Sequence, residues 1–210
     1  MKSMTTHANK APTLPDMPLE PKRSSARDID RFVQEAVLVG ARVHRCQQSG
    51  IRDTVLEILK PQPDEAAIQF EDRELMHLSG WDSAAQKPSG ARLSDLRSRN
   101  ELITRDFEVA SVAVGITGAD CGLADTGTVV MLVAGQRGRL LSLLPPIHIA
   151  ILPQDRILPD LGSFLATGPT ASSAVIFITG PSKTADIEQR LTTGVHGPGQ
   201  IHIVIVQPGV

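Results

Sequence analysis

Between Ser25 and Leu78 the apolar spacing switches repeatedly between helical and strand periods, and that alternation restricts the fold more than any other property of the chain. Ser25-Ala-Arg-Asp28 reads as a capping box. Ile29, Phe32, Val33, Ala36 and Val37 then fall on one helical face, with Gly40 as terminator. Ala41 to Cys46 alternates as a strand. Ile51, Val55, Ile58 and Leu59 return to helical spacing, stopped by Pro61. Ala66 to Phe70 reads as another strand and Asp72 to Leu78 as a short helix. The pattern predicts a mainly parallel sheet with helical cover.

Residues 79–94, rich in Gly, Ser, Pro and Ala, read as loop, and Leu93 to Leu102 as a helix. Beyond it strands crowd together: Val109 to Ile116, Cys121 to Ala124, Thr128 to Val133, Ile147 to Leu152, Ala174 to Thr179 and Ile201 to Val206. Short connections such as Asp125-Thr-Gly127 predict antiparallel hairpins inside a mixed sheet. Met1 to Arg23 carries Pro12, Pro15, Pro18 and Pro21 with little apolar content, too little to offset its ordering entropy. The chain therefore divides into a flexible Pro-rich tail, 1–24, and a single domain, 25–210, whose motif-rich part is 105–207. At 210 residues one full core is expected.

Composition removes several function classes. Aromatics are 3% with no Tyr, the formal charge is −2 and the pI is near 6.3, so neither a base-stacking platform nor a basic footprint for nucleic acid exists. Two cysteines, Cys46 and Cys121, form no framework and cannot hold an iron–sulfur cluster or structural zinc by thiolates alone. No run approaches the roughly 18 apolar residues of a membrane span, and no secretion signal opens the chain. A cytoplasmic location is expected, with no metal site.

Three segments carry candidate chemistry. In Gly115-Ile-Thr-Gly-Ala-Asp-Cys-Gly-Leu-Ala-Asp-Thr-Gly-Thr128, glycines permit tight turns, and Thr117, Thr126, Gly127 and Thr128 bring donors to them. Asp125 is a candidate general base there, or part of a turn bonding its own backbone. In Gly135-Gln-Arg-Gly-Arg-Leu-Leu-Ser-Leu-Leu-Pro-Pro-Ile-His148, Arg137 or Arg139 offers a guanidinium fork for a carboxylate. His148, opening an apolar strand, reads as a hydrogen-bonded core residue.

The third segment, Gly180 to Pro198, follows one strand and precedes another. Gly180, Ser182, Lys183 and Thr184 read as an anion cradle of main-chain N–H groups, hydroxyls and one ammonium. Asp186 and Glu188 would tune Lys183. His196, flanked by Gly194 and Gly197-Pro198, is either functional or a turn histidine bonded to a carbonyl. Asp125, Asp186, Glu188 and His196 are thus the catalytic candidates. Walker, Gly-x-Gly-x-x-Gly and Gly-x-Ser-x-Gly spacings are all missing.

The strings Gly115-Ile-Thr-Gly-Ala-Asp120, Ala124-Asp-Thr-Gly-Thr128, Ser142-Leu-Leu-Pro-Pro-Ile-His148, Gly180-Pro-Ser-Lys-Thr-Ala-Asp-Ile-Glu188 and Gly194-Val-His-Gly-Pro198 resemble the LUD-domain family, and within it the lactate-utilisation C group. The likeness is dense over 105–207 and weaker over 27–104; many relatives carry Glu where this chain has Asp125. The resemblance implies an α/β fold like the NagB/RpiA/CoA-transferase group, three layers with a mixed sheet under helical cover. It also implies a part in oxidising L-lactate to pyruvate beside a cysteine-rich iron–sulfur subunit and a ferredoxin-like LUD subunit. Iron–sulfur clusters would then reside in those partners, with no cofactor in this chain. It assigns no catalytic residue. The competing expectations are a stand-alone enzyme on a small phosphorylated or acyl substrate, and a ligand-sensing module without turnover.

Overall fold

A computed structural model describes residues 24–71, 73–81, 90–98, 108–133, 139–167, 172–185, 191–194 and 196–208. Helix α1 (Ala26–Leu38) starts as its capping box requires. Ser25 Oγ accepts the Asp28 N–H at 3.1 Å, and the Ser25 N–H donates to Asp28 Oδ2 at 3.3 Å. Strand β1 (Arg42–Gln47), helix α2 (Ile51–Leu59), strand β2 (Ala67–Phe70) and helix α3 (Arg73–Leu78) follow in the expected order. Within the expected loop lies a short strand, β3 (Gly90–Arg92), followed by α4 (Leu93–Ser98).

The remaining strands are β4 (Val114–Gly118), β5 (Cys121–Leu123), β6 (Thr128–Val133), β7 (Ile147–Pro153), β8 (Ile157–Leu158), β9 (Ala174–Ile178), β10 (Lys183–Ala185), β11 (Leu191–Thr193) and β12 (Gln200–Gln207). Helix α5 (Leu161–Ala166) is capped by Asp160, whose Oδ1 accepts the Ser163 N–H at 2.7 Å.

Six strands form the main sheet in the order β1-β12-β7-β4-β2-β3, all parallel except β3. Strands buried on both faces read as continuous apolar runs, and every residue of β7 is buried. One face carries α2, α3 and α4, whose Ile51, Val55, Leu59, Met76 and Leu96 pack on Ile116, Ile149 and Val204. The other face carries α1 together with a second sheet of order β8-β5-β6-β9; Phe32, Val129 and Met131 pack there on Leu152 and Ile203. Phe164 of α5 closes the outer side of that second sheet with Leu123 and Val130.

The α/β class with mixed strand pairing is as expected. The Asp125–Gly127 hairpin forms inside a mixed sheet as expected, with β5 antiparallel to β6 and parallel to β8, and that sheet is separate from the main one. One local expectation is corrected. Residues 183–185 and 191–193, expected as an open loop, pair as an antiparallel ribbon. The N-terminal tail lies outside the described residues, apart from Ser24.

Candidate functional site

Gly115 and His148 are register partners on β4 and β7, on the face turned towards the second sheet. A Cβ on Gly115 would stand 2.2 Å from the Leu141 carbonyl oxygen, so only glycine lets the turn Arg139–Ser142 lie against the sheet. Thr117, two residues along, faces the same side. Its Oγ1 is 2.8 Å from His148 Nε2 and 3.6 Å from Met131 Sδ.

A hydroxyl has one hydrogen to give. If it points at the Met131 sulfur, His148 must donate from Nε2, leaving Nδ1 as an acceptor. Among the described residues that Nδ1 has no hydrogen-bond partner. Burial holds the fully enclosed imidazole neutral, its pKa lowered to about 4. The core reading of His148 is thus the one the structure supports. Thr117, expected to contact a ligand, is spent on His148 inside the core.

The Asp125 turn is pinned to α1. Gly127 has φ +63° and a Cβ there would stand 2.2 Å from Ala36 N, so the turn backbone rests directly on the helix. Thr128 Oγ1 joins Thr126 Oγ1 at 2.7 Å and Thr179 Oγ1 at 2.8 Å, and Thr126 donates to Asp125 Oδ1 at 3.3 Å. The Asp125 amide donates to Pro159 O at 3.1 Å.

Lys183 and its loop grip the same helix one turn further on. Gly180 has φ +74° and packs so closely that a Cβ would stand 2.5 Å from Val39 O. Lys183 Nζ donates to that same carbonyl at 3.0 Å, a cation placed on the negative end of the α1 dipole. The Ser182 amide donates to Pro198 O at 2.9 Å, and Ser182 O accepts from Gly194 N at 3.0 Å. Of the donors expected in an anion cradle, the Ser182 amide and one N–H of the exposed Lys183 ammonium are taken by carbonyls of the fold. Thr184 lies in the β10 ribbon, Arg139 opens the turn over Gly115, and His196 is exposed. Asp186, Glu188 and Arg137 lie outside the described residues. Gly127 and Gly180 pack on α1, and Thr126 and Thr128 join Thr179 through their hydroxyls.

Sequence reasoning passed over two buried carboxylates at the carboxyl ends of β2 and β4. Glu71 Oε2 accepts the Gly118 N–H at 2.9 Å, joining the ends of β2 and β4, and Asp120 Oδ2 accepts the Leu132 N–H of β6 at 2.6 Å. The available signal was position: an acidic residue directly after a parallel strand lies where α/β sheets present ligands. Also passed over was a cleft of about 590 Å³ at the carboxyl end of β1, bordered by Arg52. A second cleft, about 430 Å³, lies at the amino ends of β7 and β12 and is reached by Gly194 of the third segment. The Cys121 thiol is pushed up to about 12, by burial first and by Asp120 next; burial also raises that of Cys46. Among the described residues no group of three or more metal-ligating side chains occurs, and no helix is long and apolar enough to cross a membrane.

The LUD domain profile matches residues 29–206. Lactate utilization protein C of Halalkalibacterium halodurans is 42% identical over 45% of this chain and 44% of its own length. That of Oceanobacillus iheyensis is 33% identical over 68% of this chain and 57% of its own. In these two matches the chain spans about half the relative's length. That of Exiguobacterium sp. is 33% identical over 80% of this chain and 75% of its own. In three dimensions the crystal structure of a DUF162 family protein from Deinococcus radiodurans superposes with a TM-score of 0.59 at 17% identity, covering 87% of this chain and 98% of that one, which shows a shared fold. With the profile spanning nearly all of the folded region, this chain belongs to the LUD domain family.

Proposed function

We propose that this chain serves lactate utilisation as an accessory subunit in the oxidation of L-lactate to pyruvate. It acts beside a cysteine-rich iron–sulfur subunit and a ferredoxin-like LUD subunit, and it binds a small carboxylate or phosphate. The observation that carries the reading is the likeness to proteins named lactate utilization protein C, which extends over 80% of this chain in the Exiguobacterium relative.

The chemistry of the chain supports the division of labour. Lactate oxidation releases two electrons and two protons, and the electrons need an acceptor. Two cysteines are too few for a four-thiolate cluster, and burial keeps both thiols protonated near neutral pH, a poor state for redox exchange. Electron carriers therefore belong to partner subunits in this reading. Deleting the gene in its host tests it: growth on L-lactate as sole carbon source should fail and return on complementation, while growth on pyruvate continues. Unimpaired growth on L-lactate would reject the pathway.

A further inference from the structure

We infer that the cleft between the carboxyl end of β1 and the end of α3 binds an anionic ligand, a compound bearing a carboxylate or phosphate group. The inference rests on the reading that this chain holds a small anion, and it names a place for it away from the Gly180 loop. The cleft, about 590 Å³, is lined by Gln47, Ser49, Arg52, Leu78, Ser79 and Gly80 among others. Its size is that of small-molecule sites, and it opens at the carboxyl ends of parallel strands, where such sheets bind ligands. Among the described residues no carboxylate lines it; the amides of Gln47 and Gln48, the Ser49 hydroxyl and one guanidinium do, the Ser79 hydroxyl being turned to Leu75 O.

The guanidinium is held ready. Arg52 Cζ lies 5.5 Å from the ring centroid of Trp81, a cation–π contact. The ring is itself fully buried and fixed by its Nε1 donating to Leu96 O at 3.2 Å. Gly80, at φ +85°, brings the chain after α3 against the Arg52 stem: a Cβ there would stand 3.3 Å from Arg52 Cβ. Gln47 Nε2 donates to Gln207 Oε1 at 2.6 Å, which fixes the amide at the cleft edge and leaves its second N–H. Arg52 already has a further interaction, but a guanidinium carries five N–H donors, so an oxyanion can be added to it. A side chain immobilised before binding loses little entropy when the ligand arrives.

Trp81 is the single Trp of a chain without Tyr, so intrinsic fluorescence comes from the ring that Arg52 lies over. The full chain is titrated with inorganic phosphate, L-lactate and citrate at fixed ionic strength, following Trp81 emission and heat. At least one should give saturable binding, the phosphate or the carboxylate arms identifying which group is recognised. Arg52→Ala should weaken it by about tenfold or more, the loss of a charge-assisted contact. Ser49→Glu, a surface change that puts negative charge in the cleft without touching the core, should do the same. Lys183→Ala should stay within about twofold of the parent. No saturable binding, or binding kept in both Arg52→Ala and Ser49→Glu, overturns the site; loss in Lys183→Ala alone returns the anion to the Gly180 loop and overturns it equally. If nothing binds while gene deletion still abolishes growth on L-lactate, the cleft falls and the pathway reading stands.

Discussion

Lys183 Nζ donates to the carbonyl of Val39 at 3.0 Å, joining residues 144 positions apart and fastening the third sequence segment to the end of the first helix. The Gly127 turn meets the same helix at Ala36, so two of the three segments that carry the family likeness hold α1 in place.

Removing the ammonium tests that role. Lys183→Ala should lower stability by about 0.3–1 kcal/mol, the range for an exposed cation at a helix carboxyl end. Urea denaturation should show it as a lower midpoint with an unchanged slope.

The glycine at 127 should be far less replaceable than the one at 162. Gly127→Ala puts a methyl into the α1 backbone at a positive φ, and should cost on the order of 3 kcal/mol or prevent folding. Gly162→Ala, inside α5 with Asp160 Oδ1 at an ordinary 3.4 Å, should be neutral or stabilise by about 0.5–1 kcal/mol. Thermal melts of the two variants decide.

Much of the first half of the fold was legible from spacing. The Ser25–Asp28 box and the stripe of Ile29, Phe32 and Ala36 place α1, and Pro61 falls just past α2. Strand β8 and helix α5 were missed: two strand residues carry no period, and α5 has barely enough turns to show one, although Asp160 with Ser163 is a cap signal. The candidate site was less legible. Gly, Ser, Lys and Thr suit an anion cradle and a packed turn equally well, and the packing partners Val39 and Pro198 are distant in sequence. Arg52 and Gly80 come together only in three dimensions.

Acid should destabilise the protein through His148. Its pKa is about 4 when folded against an ordinary 6.5, so the unfolded chain binds the extra proton first. That contribution is complete above pH 6.5 and is lost as pH falls towards 4, a total of about 3 kcal/mol. His202, also lowered to about 4 by burial and then by His44 and Arg42, pulls the same way. Denaturation across this window should show a slope that His148→Gln reduces; an unchanged slope contradicts the buried neutral state.

Thr117→Val should cost about 1–3 kcal/mol, because the buried His148 Nε2 loses its partner without gaining another. Thr117→Ser should recover most of the loss, as measured by chemical denaturation.

Affinity purification of the tagged chain from lactate-grown cells, with the recovered assembly assayed for L-lactate oxidation by an artificial electron acceptor, tests the accessory-subunit claim most directly. The assembly should carry iron–sulfur partners and turn lactate over, while the chain purified alone should not. Turnover by the isolated chain, or an active assembly from cells lacking it, would contradict the account.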